Sequence, residues 1–255
     1  MRNQAEKDLV AKLRLEKTFK PELKSLFSRM TKDFRVNVAV TGIAPSASEY
    51  SNAWQDLLRK HYNRTQNTFL GNVQDQVGTD LTPDQSDFLL LALLDYRTKR
   101  AVAQESFITD TNDKNMFLSM QEARQSLEES GEVVTNRTLA AAATAILSRK
   151  QKGRVEGIAT LETQAPAEST KLFEARSLSG MAPSPDVVPI DQVFRPTEAK
   201  LNKAWIDIGD KVTRASHRAA RNQAVKIDEP FIVQGQQLNY PGDNSLGATI
   251  DNTIN

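Results

Sequence analysis

Two histidines and no cysteine limit the chemistry open to this 255-residue chain. His217 lies in the stretch KVTRASHRAARNQAVKIDEPF, residues 211–231, with LNYPGD following at 238–243. Asp210, Arg214, Asp228, Glu229 and Asp243 sit around it. An imidazole within hydrogen-bond reach of a carboxylate is a general base. Around a divalent ion the same side chains are a carboxylate-dominated metal site, because no thiolate is present to contribute. The competing reading is architectural. In a small, turn-rich unit, buried polar side chains must be paired, and His217 and Arg214 would then fix neighbouring loops. We weight the architectural reading more heavily, and assign no catalytic residue, metal ligand or cofactor.

Two other constellations carry charge. GRVEGIATLETQAPAEST, 153–170, holds Arg154, Glu156 and Glu162. Paired carboxylates could do acid–base work, but charge pairing within one helix and contacts to the C-terminal tail are the simpler expectation. Residues 1–35 hold ten Lys and Arg against five Asp and Glu. Within them Lys12, Arg14, Lys17, Lys20, Lys24 and Arg29 are candidate contacts to DNA phosphates or to an acidic protein surface. The plainer alternative is a solvated helix face. The whole chain has 33 Lys and Arg against 32 Asp and Glu, so no global charge selects a polyanionic partner. There is no phosphate-cradling glycine loop, no G-x-S-x-G elbow and no H-E-x-x-H.

The elements that position these residues read mainly as helices. Leu9, Leu13, Leu23, Leu26, Phe27, Met30 and Phe34 recur at spacings of three and four, which predicts two helices, or one kinked at Pro21, over 2–37. A helix is expected from about Ser48 to Phe69. Another starts at a Thr82 cap with Pro83 in its first turn. Its run Phe88 to Leu94 is nearly all apolar and predicts the most buried element. Residues 109–131 read as a polar connector and a short helix ended by Gly131. The alanine-rich 135–170 reads as helix, with Gly153, Gly157 and Pro166 as breaks. Prolines 183, 185, 189 and 196 mark a linker at 176–200. Beyond it, KAWIDIGD and VKIDEPFIV read as short strands and PGD as a turn. The expected organisation is a mainly α, extended helical body over 1–175 with a basic N-terminal arm, the linker 176–200, and a small α+β module over 201–255. No apolar run approaches the roughly 18–20 residues of a membrane span, and the charged N-terminus is unlike a secretory signal.

The tail carries an ordered string: Trp205, Asp210, Arg214, Ser216-His217-Arg218, Gln223, Ile227-Asp228-Glu229-Pro230-Phe231 and Tyr240-Pro241-Gly242-Asp243. This resembles the C-terminal module of the phage Mu F-like head morphogenesis, or minor head, proteins. Ile158-Ala159-Thr160-Leu161-Glu162-Thr163 is similar to that family's Ile-Ala-x-Thr-Glu-Thr helix. Two departures stand out. Asn222 occupies a place where the family usually has glycine. The family also commonly continues into Ile-Asn-Cys-Arg-Cys, whereas this sequence stops at Thr253-Ile254-Asn255, so no role of those cysteines is carried over.

The resemblance implies a non-enzymatic virion protein of a tailed phage, made in the host cytoplasm. It implies several copies around the portal, contacts to the portal protein or the major capsid protein, and packaged DNA nearby. Asp210, Arg214, His217, Asp228 and Asp243 would then form a structural polar network, with Trp205 and Phe231 as core anchors. The competing expectations are a metal-dependent hydrolase or effector built on His217 and the acids, and a DNA-binding internal virion protein.

Overall fold

The computed structural model describes residues 4–183, 201–205, 215–243, 246 and 248. Five α-helices occupy Gln4–Thr41 (α1), Ser51–Phe69 (α2), Asn72–Val77 (α3), Pro83–Glu129 (α4) and Asn136–Leu178 (α5). A small C-terminal region follows, with strands Asn202–Ala204 (β1), Ala224–Lys226 (β2), Phe231–Val233 (β3) and Gln236–Leu238 (β4), and a short helix Ala215–Ala219 (α6). The protein is therefore mainly α with a small α+β tail. No helix among the described residues is long and apolar enough to cross a membrane.

The described chain falls into two compact units. Unit 1 draws on Met1–Leu15, Tyr62–Arg97 and Thr160–Asn255, and unit 2 on Glu16–His61 and Thr98–Ala159. Each of α1, α2, α4 and α5 contributes residues to both.

α1 is one unbroken helix with Pro21 inside it. Proline removes one backbone donor and strands the carbonyl four residues earlier. Both Pro21 and Lys17 are exposed, so water can serve that carbonyl. The buried stripe Phe19, Leu23, Leu26, Phe27, Met30, Phe34 and Val38 carries the helix past it.

α4 starts where expected. The Thr82 hydroxyl accepts from the Gln85 amide at 3.3 Å, and the Gln85 side chain accepts from the Thr82 amide at 3.1 Å, a reciprocal capping box. It does not pause at 109. Ile108, Asn112, Met116, Ser119, Ala123 and Leu127 keep the helical spacing on the buried side, and the polar members of that stripe disguise it. Gly131, at φ +74°, ends the helix region, with Glu132 N–H donating to the Leu127 carbonyl at 2.9 Å. The Phe88–Leu94 run is not the most buried element: Leu89, Ala92 and Leu93 are buried, but Leu90, Leu91 and Leu94 are about half exposed. A continuous apolar run covers the whole circumference of a helix, and only part of that circumference meets the core here.

α5 runs through Gly153, Gly157 and Pro166 to Leu178. Both glycines have open space around them, and each costs a helix about 1 kcal/mol relative to alanine. Burial of Leu147, Val155, Ala159, Ala165 and Leu172 offsets that. The linker residues 184–200 lie outside the described residues.

In the tail, β1 pairs antiparallel with β2, with Lys203 opposite Val225, and β3 pairs antiparallel with β4, with Ile232 opposite Gln237. VKIDEPFIV is thus two strands rather than one. Glu229 N–H donates to the Lys226 carbonyl at 3.0 Å, turning the chain before Pro230, which has no N–H to give a ladder.

Candidate functional site

The residues singled out in the tail fold into a small core within unit 1. Trp205, Ala220, Phe231, Val233, Leu238 and Ala248 form a buried cluster, with Val225 packed against it. The Trp205 indole meets the Phe231 ring edge-on at 5.2 Å and the His217 ring edge-on at 5.6 Å. His217 is 1% exposed, on the short helix α6. Its imidazole lies against the Trp205 ring. We expect His217→Ala to lower the stability of this module by about 2 kcal/mol, read as a fall of several degrees in melting temperature. An unchanged melting temperature would overturn the packing role.

The backbone is threaded to hold this core. Trp205 N–H donates to the Gln223 carbonyl at 2.8 Å, continuing the β1–β2 pairing by one residue. The Gln223 side chain acts like a strand of its own. Its Nε2 donates to the Ile232 carbonyl at 3.0 Å, and its Oε1 accepts from the Ile232 amide at 2.8 Å. Asn222 has φ +66°, the left-handed region that glycine favours and that asparagine tolerates better than most residues. The departure from glycine at 222 therefore leaves the turn's backbone demand met. Asn222→Val should cost about 1–2 kcal/mol, whereas Asn222→Gly should be close to neutral, measured by chemical denaturation. Gln234 and Gly235, both at positive φ, make the two-residue hairpin between β3 and β4. The Gln-Gly pair between apolar runs was the available signal for it.

Of the acids, Asp243 is buried at 1% exposure. Its Oδ2 accepts from the Asn239 amide at 2.8 Å and closes the turn carrying Tyr240-Pro241-Gly242. Gly242, at φ +88°, sits so close to α5 that an added Cβ would lie 3.1 Å from the Ala165 Cβ. Ile227 and Tyr240 join the apolar cluster of Leu89, Leu93, Ala165, Leu172 and Phe173 in the same unit. The tail is thereby packed on helical residues of unit 1. Asp228 is exposed on the turn between β2 and β3. Asp210 and Arg214 lie outside the described residues. Among the described residues no group of three or more His, Asp and Glu side chains is placed to hold a metal ion.

A cation that the sequence reading passed over belongs to this region. The Lys203 ammonium donates to the Asn239 carbonyl at 2.9 Å and lies 5.2 Å from the centre of the Phe231 ring. Burial, with the nearby Arg176 charge, brings its pKa down to about 8. The folded state thus releases this proton before the unfolded chain does. Between about pH 8 and the unfolded value near 10.5 the unfolded state holds more protons, so stability rises with pH across that window. Lys203→Met should abolish that rise in denaturation midpoints taken at both ends of the window.

The helical candidates separate clearly. Arg154, Glu156 and Glu162 do not form the intrahelical set expected of them. Arg154 donates to Asn112 Oδ1 and stacks over Phe27, Glu156 pairs with Lys20, and Glu162 accepts from the Tyr62 hydroxyl. Their spacing along one helix is real, but each finds a partner on another helix. Of the basic candidates, Lys12 pairs with Glu168 in unit 1. In unit 2, Lys20 pairs with Glu16 and Glu156, and Arg29 lies over the Tyr50 ring. Lys17 and Lys24 are exposed, as is Arg14. Lys24 lines an open groove.

No protein-family model matches this chain, and no curated protein or solved structure shows significant similarity to it.

Proposed function

We propose that this is a non-enzymatic minor head protein of a tailed phage, which binds the portal vertex or the capsid interior and acts in head assembly or DNA delivery. The observation that supports this reading is how the quoted tail residues are used. Trp205, His217 and Phe231 are buried in the tail's own core, Ile227 and Tyr240 are buried against helical residues of the same unit, and Gly242 and Asp243 are buried beside them, which supports an architectural role for these members of the string. A string of that kind specifies a module shape, and the module's exposed face is left to carry the contacts. Four short strands and a five-residue helix, packed on α5 through Gly242, suit a rigid interaction unit better than a substrate cleft.

The test is peptide mass spectrometry of gradient-purified procapsids and mature heads. The reading predicts this chain in both or in procapsids alone, at a small fraction of the major capsid protein. Its confinement to the soluble lysate would refute the reading.

A further inference from the structure

We infer that unit 2 carries a groove that binds the phosphodiester backbone of a nucleic-acid strand. The groove lies between residues 24–35 of α1 and 144–155 of α5, with a volume of about 530 Å³. Lys24, Lys32, Arg35 and Lys152 line it, and no Asp or Glu does. None of these four has an ion-pair partner among the described residues. Nearby lysines of the same unit are neutralised: Lys20 by Glu16 and Glu156, Lys60 by Glu22, Lys150 by Glu122. Four uncompensated cations facing one concavity concentrate positive potential there.

Polar side chains line the groove between these cations. Gln151 is 5% exposed, and its Oε1 lies 2.7 Å from the Thr31 hydroxyl. The Thr31 hydroxyl also donates to the Phe27 carbonyl at 2.8 Å, so amide and hydroxyl are held in one hydrogen-bonded set beneath the cations. Ser28 and Ser148 supply further donors at the rim.

The occupant follows from what the groove lacks. Phe27 and Val155 are buried, and the cation-bearing side chains of both walls stand over them. No aromatic ring is exposed among the lining residues for bases to stack on, which favours backbone contact without sequence preference. Lys24 to Arg35 spans eleven residues of helix, about 16 Å at 1.5 Å per residue, room for several consecutive phosphates.

This inference does not rest on the portal reading. Strand binding by a chain absent from procapsids and mature heads would leave it standing and remove the other. The experiment is fluorescence anisotropy of a labelled oligothymidylate titrated with the full chain at rising salt. With three to four phosphates engaged, log K should fall with log salt at a slope of about −2 to −3. Lys32→Glu with Arg35→Glu should weaken binding about tenfold or more at low salt, and Lys152→Glu, on the other wall, by about fivefold. Lys17→Glu, exposed on the same helix outside the groove, should change it by about threefold or less. Circular dichroism checks that each variant folds. Absence of binding at low salt, equal losses from Lys17→Glu, or equal affinity for polyglutamate of the same length would each overturn the inference.

Discussion

Trp205→Ala should unfold the C-terminal module and leave the long helices formed. Trp205 is the largest side chain in a core of six buried residues, and its ring joins β1 to both His217 and Phe231. Truncating a buried tryptophan typically costs about 3–5 kcal/mol. Two-stranded sheets have little stability without a face to pack on, so that loss is comparable to all the module has. Hydrogen exchange read by mass spectrometry gives the result directly. Amides of 224–238 should lose protection, while those of α5 between 140 and 160 keep theirs. Retained protection across 224–238 would mean that the aromatic cluster is not what holds the strands.

A smaller loss is expected for Glu168→Gln, with a distinct pH signature. In unit 1 the Glu168 carboxylate pairs with Lys12 and with Lys171 at 2.9 Å, and Lys171 also reaches Asp8 at 3.1 Å. Burial alone would discourage the charge on Glu168, but the Lys12 and Lys171 charges outweigh it and bring its pKa down to about 2. Burial likewise opposes the Lys171 charge, and Glu168 with Asp8 outweighs it, so that pKa is raised. The folded carboxyl is the stronger acid, so its stabilisation is complete above the unfolded value near 4.5. It is lost as pH falls from there towards 2. A depression of this size corresponds to about 3 kcal/mol, and partial solvent screening reduces our expectation to about 2 kcal/mol. Glu168→Gln should therefore be less stable than the wild type at pH 7, and the gap should close by about pH 2. A gap that persists undiminished in acid would show that packing, not charge, is lost.

The helical class of the protein was legible because apolar residues at three- and four-residue spacing bury one stripe of each helix. Phe19 to Val38 in α1 is the clearest case. Helix interruptions were overread. Pro21, Gly153 and Pro166 are local penalties of a few kcal/mol at most, and a stripe that continues on both sides outweighs them. In α4 the reverse happened: buried Asn112 and Ser119 hid a stripe that was present, and three leucines at 90, 91 and 94 suggested burial that the packing does not provide. The tail's anchors, Trp205 and Phe231, were expected from the resemblance, and both are buried. The Gln234-Gly235 pair was a hairpin signal that the reading passed over, whereas the Gln223 amide bridge depends on which backbone groups meet in space. The groove cations divide from their neighbours only once partners are assigned. In sequence, Lys20 and Lys24 look alike, yet the first is paired and the second has no ion pair among the described residues.

The measurement that bears most directly on the proposed role is co-sedimentation of the purified chain with the portal ring of the same phage at moderate salt. We expect stoichiometric, saturable binding, unchanged by Lys32→Glu with Arg35→Glu and lost when Trp205→Ala unfolds the module. A well-folded chain that stays in the supernatant at every ratio would contradict portal association.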